Sequence, residues 1–244
     1  MQYQPVIDND LIPDLTYRLF AASKFIKVPV IFGDDTNGGT SFVPSNTTSL
    51  TDTNNYLRNQ FPYITPDILA HLDASYPNPN ATCPATGCLW RKASDIYGDL
   101  RYLCPGLYIS SAYAAAGVPS WNYLYNVSDP AQVAAGLGVP HTGERGVIWG
   151  SGYPESYKEG GVNRWAVGWM QGYWVSFVKG GEPNVWRAEG APEWERWGGK
   201  GLEEERWERL VLETEESTRM DVVDDGKREQ CEFAFDIGVE LRQK

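Results

Sequence analysis

The stretch from Lys27 to Phe42, KVPVIFGDDTNGGTSF, constrains the chain most. Val28 to Phe32 is a short apolar run that holds three β-branched residues and is closed by Gly33. Such a run reads as a strand buried on both faces of a sheet. The GDDTNGGT that follows has the composition of a tight turn leaving the carboxyl end of that strand. In open α/β sheets, ligands and catalytic groups gather beyond those ends. The expectation is an α/β fold with chemistry near this turn, weighed against the plain alternative of a buried strand followed by a surface loop.

The 244 residues can bury one good core, and length alone admits one or two domains. Hydrophobic content is 42%, and no apolar run approaches the length of a membrane span, so a soluble globular chain without such a span is expected. A formal charge of −11 and a pI near 4.7 argue against nucleic acid and anionic membrane surfaces as partners. The four cysteines, Cys83, Cys88, Cys104 and Cys231, lie far in sequence from both histidines. A zinc site on Cys83 and Cys88 would want a shorter knuckle than CPATGC and a second ligand pair, so no metal is expected. Disulfides are the better reading. A local Cys83–Cys88 loop and a long-range Cys104–Cys231 bridge are expected, out of the three pairings that four cysteines allow. Asn46, Asn80 and Asn126 each open an N-x-S/T sequon, which fits the same oxidising, secretory setting. Residues 1–20 carry no basic n-region followed by an apolar h-region, so no signal peptide opens the chain. A secreted composition without an export signal is what a chain beginning in the middle of a larger fold would show.

Along the chain, Leu15 to Ala22 is expected to form a short helix, and Ser41 to Thr53 a polar loop. Thr51 or Asp52 caps a helix through about Gln60, with Leu57 on its inner face. Thr65-Pro66-Asp67 starts another, Thr65 as N-cap and Pro66 at the first helical position, with Ile68, Leu69, Leu72 and Tyr76 on one face. Residues 77–88 are a turn-rich, disulfide-pinned excursion. Leu89 to Ala116 is helical, broken at Cys104-Pro105-Gly106. Trp121 to Val127 alternates large apolar with polar residues, as strands do. Residues 128–152 read as a glycine-rich loop. Trp165, Trp169, Tyr173 and Phe177 then recur at steps of four, a helix whose aromatic stripe is core packing rather than a cofactor box, ended by Gly180-Gly181. Arg209 to Thr214 is a late strand and Asp225 to Leu241 a final helix, while the charge run Glu203 to Arg206 is a solvated face.

Few general bases are available, because only two histidines exist. His71 sits among the apolar residues of the Thr65 helix and is read as a helix-surface histidine. His141 lies in GLGVPHTGERGVIWG, a Gly/Pro-rich loop after an expected strand, where scaffolds present functional side chains. No G-x-S-x-G elbow occurs, Gly150-Ser151-Gly152 being too short to match. No Walker loop, HExxH or Gly-rich dinucleotide fingerprint is present, so no cofactor is expected.

The order of the pieces carries a resemblance. The buried strand leads to a turn ending Gly39-Thr40, a helical region with Tyr97-Gly98-Asp99 follows, and then WNYLYNV and Gly138-Val139-Pro140-His141-x-x-Glu144. After these come MQGYWVSFVKGGEPN, Met170 to Asn184, and a terminal stretch from Arg228 through Cys231. Over essentially its whole length the sequence resembles the C-terminal half of a type-B carboxylesterase, close to the secreted fungal lipase/esterase branch that is also similar to the cholinesterases.

The resemblance implies that residues 1–244 are a single partial domain, the C-terminal portion of an α/β-hydrolase with a partial mixed sheet and flanking helices. It implies a Ser–Glu–His triad in that chain order, with His141 as general base and Glu144 as a structural support beside it. The family's acid belongs in a (D/N)-E-G-T pattern, which here reads Asn37-Gly38-Gly39-Thr40, so Gly38 stands in its place; Asp34 and Asp35 precede it. The nucleophile serine and the oxyanion loop would lie before Met1, in a missing N-terminal half that becomes the required partner. The implied function is a secreted carboxylic ester hydrolase acting on esters with apolar acyl groups, without metal or nucleotide, this chain being inactive alone. The alternative is a non-catalytic cholinesterase-like binding module or gene remnant. In either case a half-sheet ending at Val28–Phe32 would leave a strand edge uncovered and prone to aggregation.

Overall fold

The structure, a computed structural model, describes residues 6–78, 86–150, 152–198 and 206–243. The expected Cys83 and Asn80 sites, Ser151 and residues 203–205 of the charge run lie outside these. The chain divides into two compact units, one of Met1–Ile26, Gly39–Ala112 and Asp224–Lys244, the other of Lys27–Gly38 and Tyr113–Val223.

The second unit is built on a four-stranded mixed sheet in the order β1-β2-β3-β4. Strand β1 (Val30–Asp35) runs parallel to β2 (Ser120–Tyr125), which runs parallel to β3 (Glu208–Leu212); β4 (Arg219–Val222) closes the other side antiparallel to β3. The opening strand departs from the sequence reading in two ways. It begins after Pro29, which has no N–H to give the ladder, with Val30 N–H donating to Pro119 at 3.1 Å. It also continues through Gly33–Asp35, read above as turn, because those residues pair with Tyr123–Tyr125. Nor is β1 buried on both faces. It is half-buried until Asp35, because among the described strands it has a neighbour on one side only.

The strand buried on both faces is β2, flanked by β1 and β3, and its apparent alternation is misleading: Asn122 is fully buried and its carbonyl accepts the Trp194 indole N–H at 2.9 Å. The Tyr123 ring lies across its register partner Gly33, where a Cβ would come within 1.9 Å of it.

Helix α8 (Arg164–Gly180) covers the sheet with the aromatic stripe expected of it. Trp169, Met170 and Tyr173 are buried with Trp121, Tyr123 and Trp194. Phe177 meets Trp121 edge-on at 5.9 Å, and Trp174 meets Tyr123 at 5.3 Å. Gly181 ends the helix in the left-handed conformation, φ 73°. Residues 128–152 are not simply a loop. Asp129-Pro130 caps α6 (Pro130–Ala134), a start signal the glycine content masked, and α7 (Arg145–Trp149) follows the histidine.

The first unit is helical. It holds α1 (Thr16–Ala21), α2 (Leu50–Gln60), α3 (Pro66–Ser75), α4 (Trp90–Gly98), the start of α5 (Cys104–Ala115) and α9 (Asp225–Gly238). The cap of α2 is Ser49, not Thr51 or Asp52; Asp52 instead completes a capping box from the N3 position. Thr65 caps α3 as read, accepting from Ile68 N–H at 3.3 Å. His71 is exposed and stacks on Phe233 at 3.7 Å, as befits a helix-surface histidine.

The long helical stretch does not break at Cys104-Pro105-Gly106. It bulges just before, in a π-helical turn over Asp99–Leu103 in which Cys104 N–H bonds Asp99 O five residues back. Widening the turn there lets Pro105, which lacks a donor, follow without ending the helix. The Cys104–Cys231 disulfide joins this point to α9 across 127 residues, as expected. Cys88 is also disulfide-bonded.

Candidate active site

The turn after β1 and the histidine loop are sewn together by reciprocal bonds. Asn37 N–H donates to Val139 O at 2.9 Å, and Val139 N–H donates back to Asn37 Oδ1 at 3.0 Å. Gly138 makes that approach possible. It sits at φ 69°, and a Cβ on it would come 2.0 Å from Asn37 Oδ1. Thr36 adds a hydroxyl bond to Asn126 Oδ1 at 2.8 Å, holding the turn to the end of β2. In the sequence Asn37 is only a letter of a pattern; its structural task depends on a partner far away in the chain.

His141 follows directly and is half-buried. Burial pushes its imidazole below the usual histidine range, while the Glu144 charge opposes that shift. A histidine so placed is neutral at neutral pH and available as a base. Thr142 then takes a left-handed backbone, φ 68°, unusual for a β-branched residue. Its N–H donates to Asp35 Oδ2 at 2.8 Å, which holds the loop in that conformation.

Asp35 ends β1 and is buried. Burial first, and then the charge of Glu144 with a hydrogen bond to it, hold the Asp35 carboxyl well above the usual carboxylate range. Glu144, the residue before α7, accepts the Tyr123 hydroxyl on Oε1 at 3.0 Å. Burial, and then the Glu144 and Asp35 charges beside it, push the Tyr123 phenol well above 10, so it remains a donor.

The structure thus brings Asp35, Glu144 and Tyr123 together behind His141, while Gly38 contributes backbone alone. Among the described residues there is no cluster of His, Cys, Asp and Glu suited to a metal ion. The remaining expected sites are dispersed. Asn46 is exposed, whereas Asn126 donates its amide to Glu213 at 3.0 Å and serves as a pin between strand ends. Tyr123 had no signal in local sequence marking it as part of this cluster, and Asp35 stood out only, with Asp34, as a carboxylate just before the Gly38 position that could reach into the gap.

The carboxylesterase family model matches residues 1–234. Over 199 residues the chain is 29% identical to a protein named Secreted lipase 4 of Gibberella zeae, covering 79% of this chain and 34% of that one. Over 138 residues it is 30% identical to Lipase 5 of Diutina rugosa, covering 51% of this chain and 24% of that lipase. The crystal structure of Aspergillus niger EstA superposes with a TM-score of 0.87 at 33% identity, over 98% of this chain and 46% of EstA. The chain therefore spans about a third of the secreted lipase and less than half of EstA. Its mixed sheet with flanking helices is the corresponding portion of an α/β-hydrolase fold. On the match across nearly its entire length, this chain belongs to the carboxylesterase family.

Proposed function

We propose that these 244 residues are the C-terminal part of one α/β-hydrolase domain of a secreted carboxylic ester hydrolase, in which His141 is the general base. The observation that carries this reading is the mooring of the His141 loop to the turn beyond β1, through Asn37–Val139 and Asp35–Thr142. In the assembled enzyme a serine from the remaining part of the family fold attacks the ester carbonyl as His141 takes its proton. His141 then returns that proton to the leaving alcohol, and repeats the exchange as water releases the acyl group. No G-x-S-x-G elbow lies within this chain, so it is inactive by itself. Esters with apolar acyl groups are the substrates, no metal or nucleotide takes part, and of the two described sequons Asn46 is the more exposed site for a glycan. Gly38 occupies the acid position and favours a second reading, a non-catalytic binding module.

The test is to join the chain to the N-terminal portion of Aspergillus niger EstA and measure hydrolysis of a short p-nitrophenyl ester. The chain alone should give none. The joined protein should hydrolyse the ester slowly, and because the acid is already absent His141→Gln should lower turnover by only a further factor of roughly 10². Gly38→Glu should raise it, up to about 10⁴-fold if the full effect of a triad acid is recovered. A folded, serine-reactive chimera that is indifferent to both substitutions would overturn the catalytic reading in favour of the binding module.

A further inference from the structure

Two buried oxygens behind His141 are unsatisfied. Asp35 Oδ1 and Glu144 Oε2 are both fully shielded from solvent, and neither has a hydrogen-bond donor among the described residues. Their other oxygens are satisfied: Asp35 Oδ2 accepts Thr142 N–H at 2.8 Å, and Glu144 Oε1 accepts the Tyr123 hydroxyl at 3.0 Å. The Thr142 amide ties Asp35 to the loop that carries Glu144 two residues further on, and the Glu144 charge bears on the Asp35 carboxyl. Gly143 leaves room for this, since a Cβ there would sit 3.2 Å from Asp35 Oδ1. Two neighbouring carboxylates with shielded, empty acceptor oxygens repel, and one proton between them removes both the repulsion and the two vacancies.

The groups that face Asp35 offer no other remedy. They are Asp34 beside it on β1, Glu144 on the histidine loop, Tyr123 and Tyr125 on β2, and Tyr157 from the 3₁₀ turn Glu155–Tyr157. All are acidic or phenolic, and the Tyr125 and Tyr157 hydroxyls bond each other at 3.0 Å.

We propose that Asp35 and Glu144 hold a single proton between them and act as one singly charged positioning unit behind His141. Asp35 reaches the imidazole through the Thr142 amide, and Glu144 through its charge. The purpose assigned to the pair rests on His141 being the base; the sharing of the proton does not. With glycine at the acid position, this unit supplies through Glu144 a negative charge that acts on the ring and favours its protonated form during turnover. One shared charge also spares the site the cost of burying two.

The pair makes an unusual prediction of sign. If the two residues share a proton, their one charge is spread over both carboxyls; Asp35→Asn confines it to Glu144, the carboxyl whose charge acts on the imidazole, so the His141 pKa rises. If each were independently ionised, the same substitution would remove a negative charge and the His141 pKa would fall. Glu144→Gln should shift both His141 and the Asp35 carboxyl downward. The experiment is NMR titration of the imidazole and ¹³C-labelled aspartate carboxyl signals in the 244-residue chain, wild type and both variants.

Only His71 and His141 are present, and His71, stacked on Phe233 in the other unit, reports whether each variant is still folded. Opposite shifts of His141 in the two variants, with an elevated Asp35 titration that falls in Glu144→Gln, support the pair. A fall of His141 in Asp35→Asn, or an Asp35 titration indifferent to Glu144→Gln, overturns it. The titrations need no serine. Opposite shifts in a chain whose EstA chimera fails to hydrolyse esters would therefore sink the catalytic reading and leave the pair standing.

Discussion

At the scale of single residues, small side chains matter here through what they allow to come close. Gly39 is buried directly beneath α4, and a Cβ on it would lie 1.9 Å from Ser94 O, a backbone atom that cannot swing aside. Gly39→Ala should therefore destabilise the chain by about 2–3 kcal/mol, read as a lowered midpoint in urea with an unchanged slope. Gly33 makes the same kind of demand on the Tyr123 ring, and through it on the carboxyl pair that Tyr123 serves. A midpoint for Gly39→Ala indistinguishable from wild type would mean that α4 can retreat at little cost.

At the scale of elements, two irregularities place the chemistry and the clamp. The histidine loop is neither strand nor helix. Its position comes from the two-way Asn37–Val139 bonding and the Asp35–Thr142 bond, each joining residues about a hundred positions apart. The π turn at Asp99–Leu103 brings Asp99 against Tyr76 OH, at 2.8 Å, and against Lys227 of α9. The disulfide beside it closes a loop of 127 residues, a constraint on the unfolded chain worth roughly 5 kcal/mol in the loop-entropy account. The same turn makes an acid-sensitive spot. Burial, and then the charge of Asp99, push Asp95 up to about 6, against the opposing charges of Arg91 and Lys227.

A carboxyl with a raised folded-state pKa binds its proton more tightly in the native chain. Its stabilising contribution is full below the unfolded value of 3.8 and is lost as pH rises through about 6. Thermal melts should show wild type losing stability across that window relative to Asp95→Asn. Parallel profiles would refute the buried-carboxyl account of this turn.

At the scale of the whole molecule, the sheet ends on β1, which is open on one side among the described strands, and the exposed Val28 precedes it. On the same unit Trp149, Val175 and Val178 line an open apolar groove of about 470 Å³ with Trp174. Trp149 is 75% exposed and Val178 80% exposed, too much large apolar surface in one place to be ordinary. The isolated 244-residue chain should bind hydrophobic dyes and self-associate, as seen by dye fluorescence and light scattering with increasing concentration. A strictly monomeric, dye-silent chain would show that its edge and groove are harmless.

Much of this protein was legible in its sequence, and the legible part is local. The Thr65-Pro66 start, the aromatic period of α8 with its Gly181 stop, the final helix and the strand Ser120–Tyr125 all follow from capping, periodicity and turn chemistry within a few residues. His141 was legible as a loop histidine, and more so through the order of motifs around it. What lay beyond the sequence depended on partners distant along the chain. Gly33–Asp35 have the composition of a turn and become strand because Tyr123–Tyr125 offer them a ladder. Asn122 reads as an outward polar residue and is buried because β3 lies on its other side. Glu144 was legible in the motif around His141, but its pairing with Asp35 was not, since that exists only once β1, β2 and the histidine loop have converged. Local propensity determined which segments are helix and strand; long-range pairing and burial decided where those segments end, which are central, and which carboxyls are forced to meet.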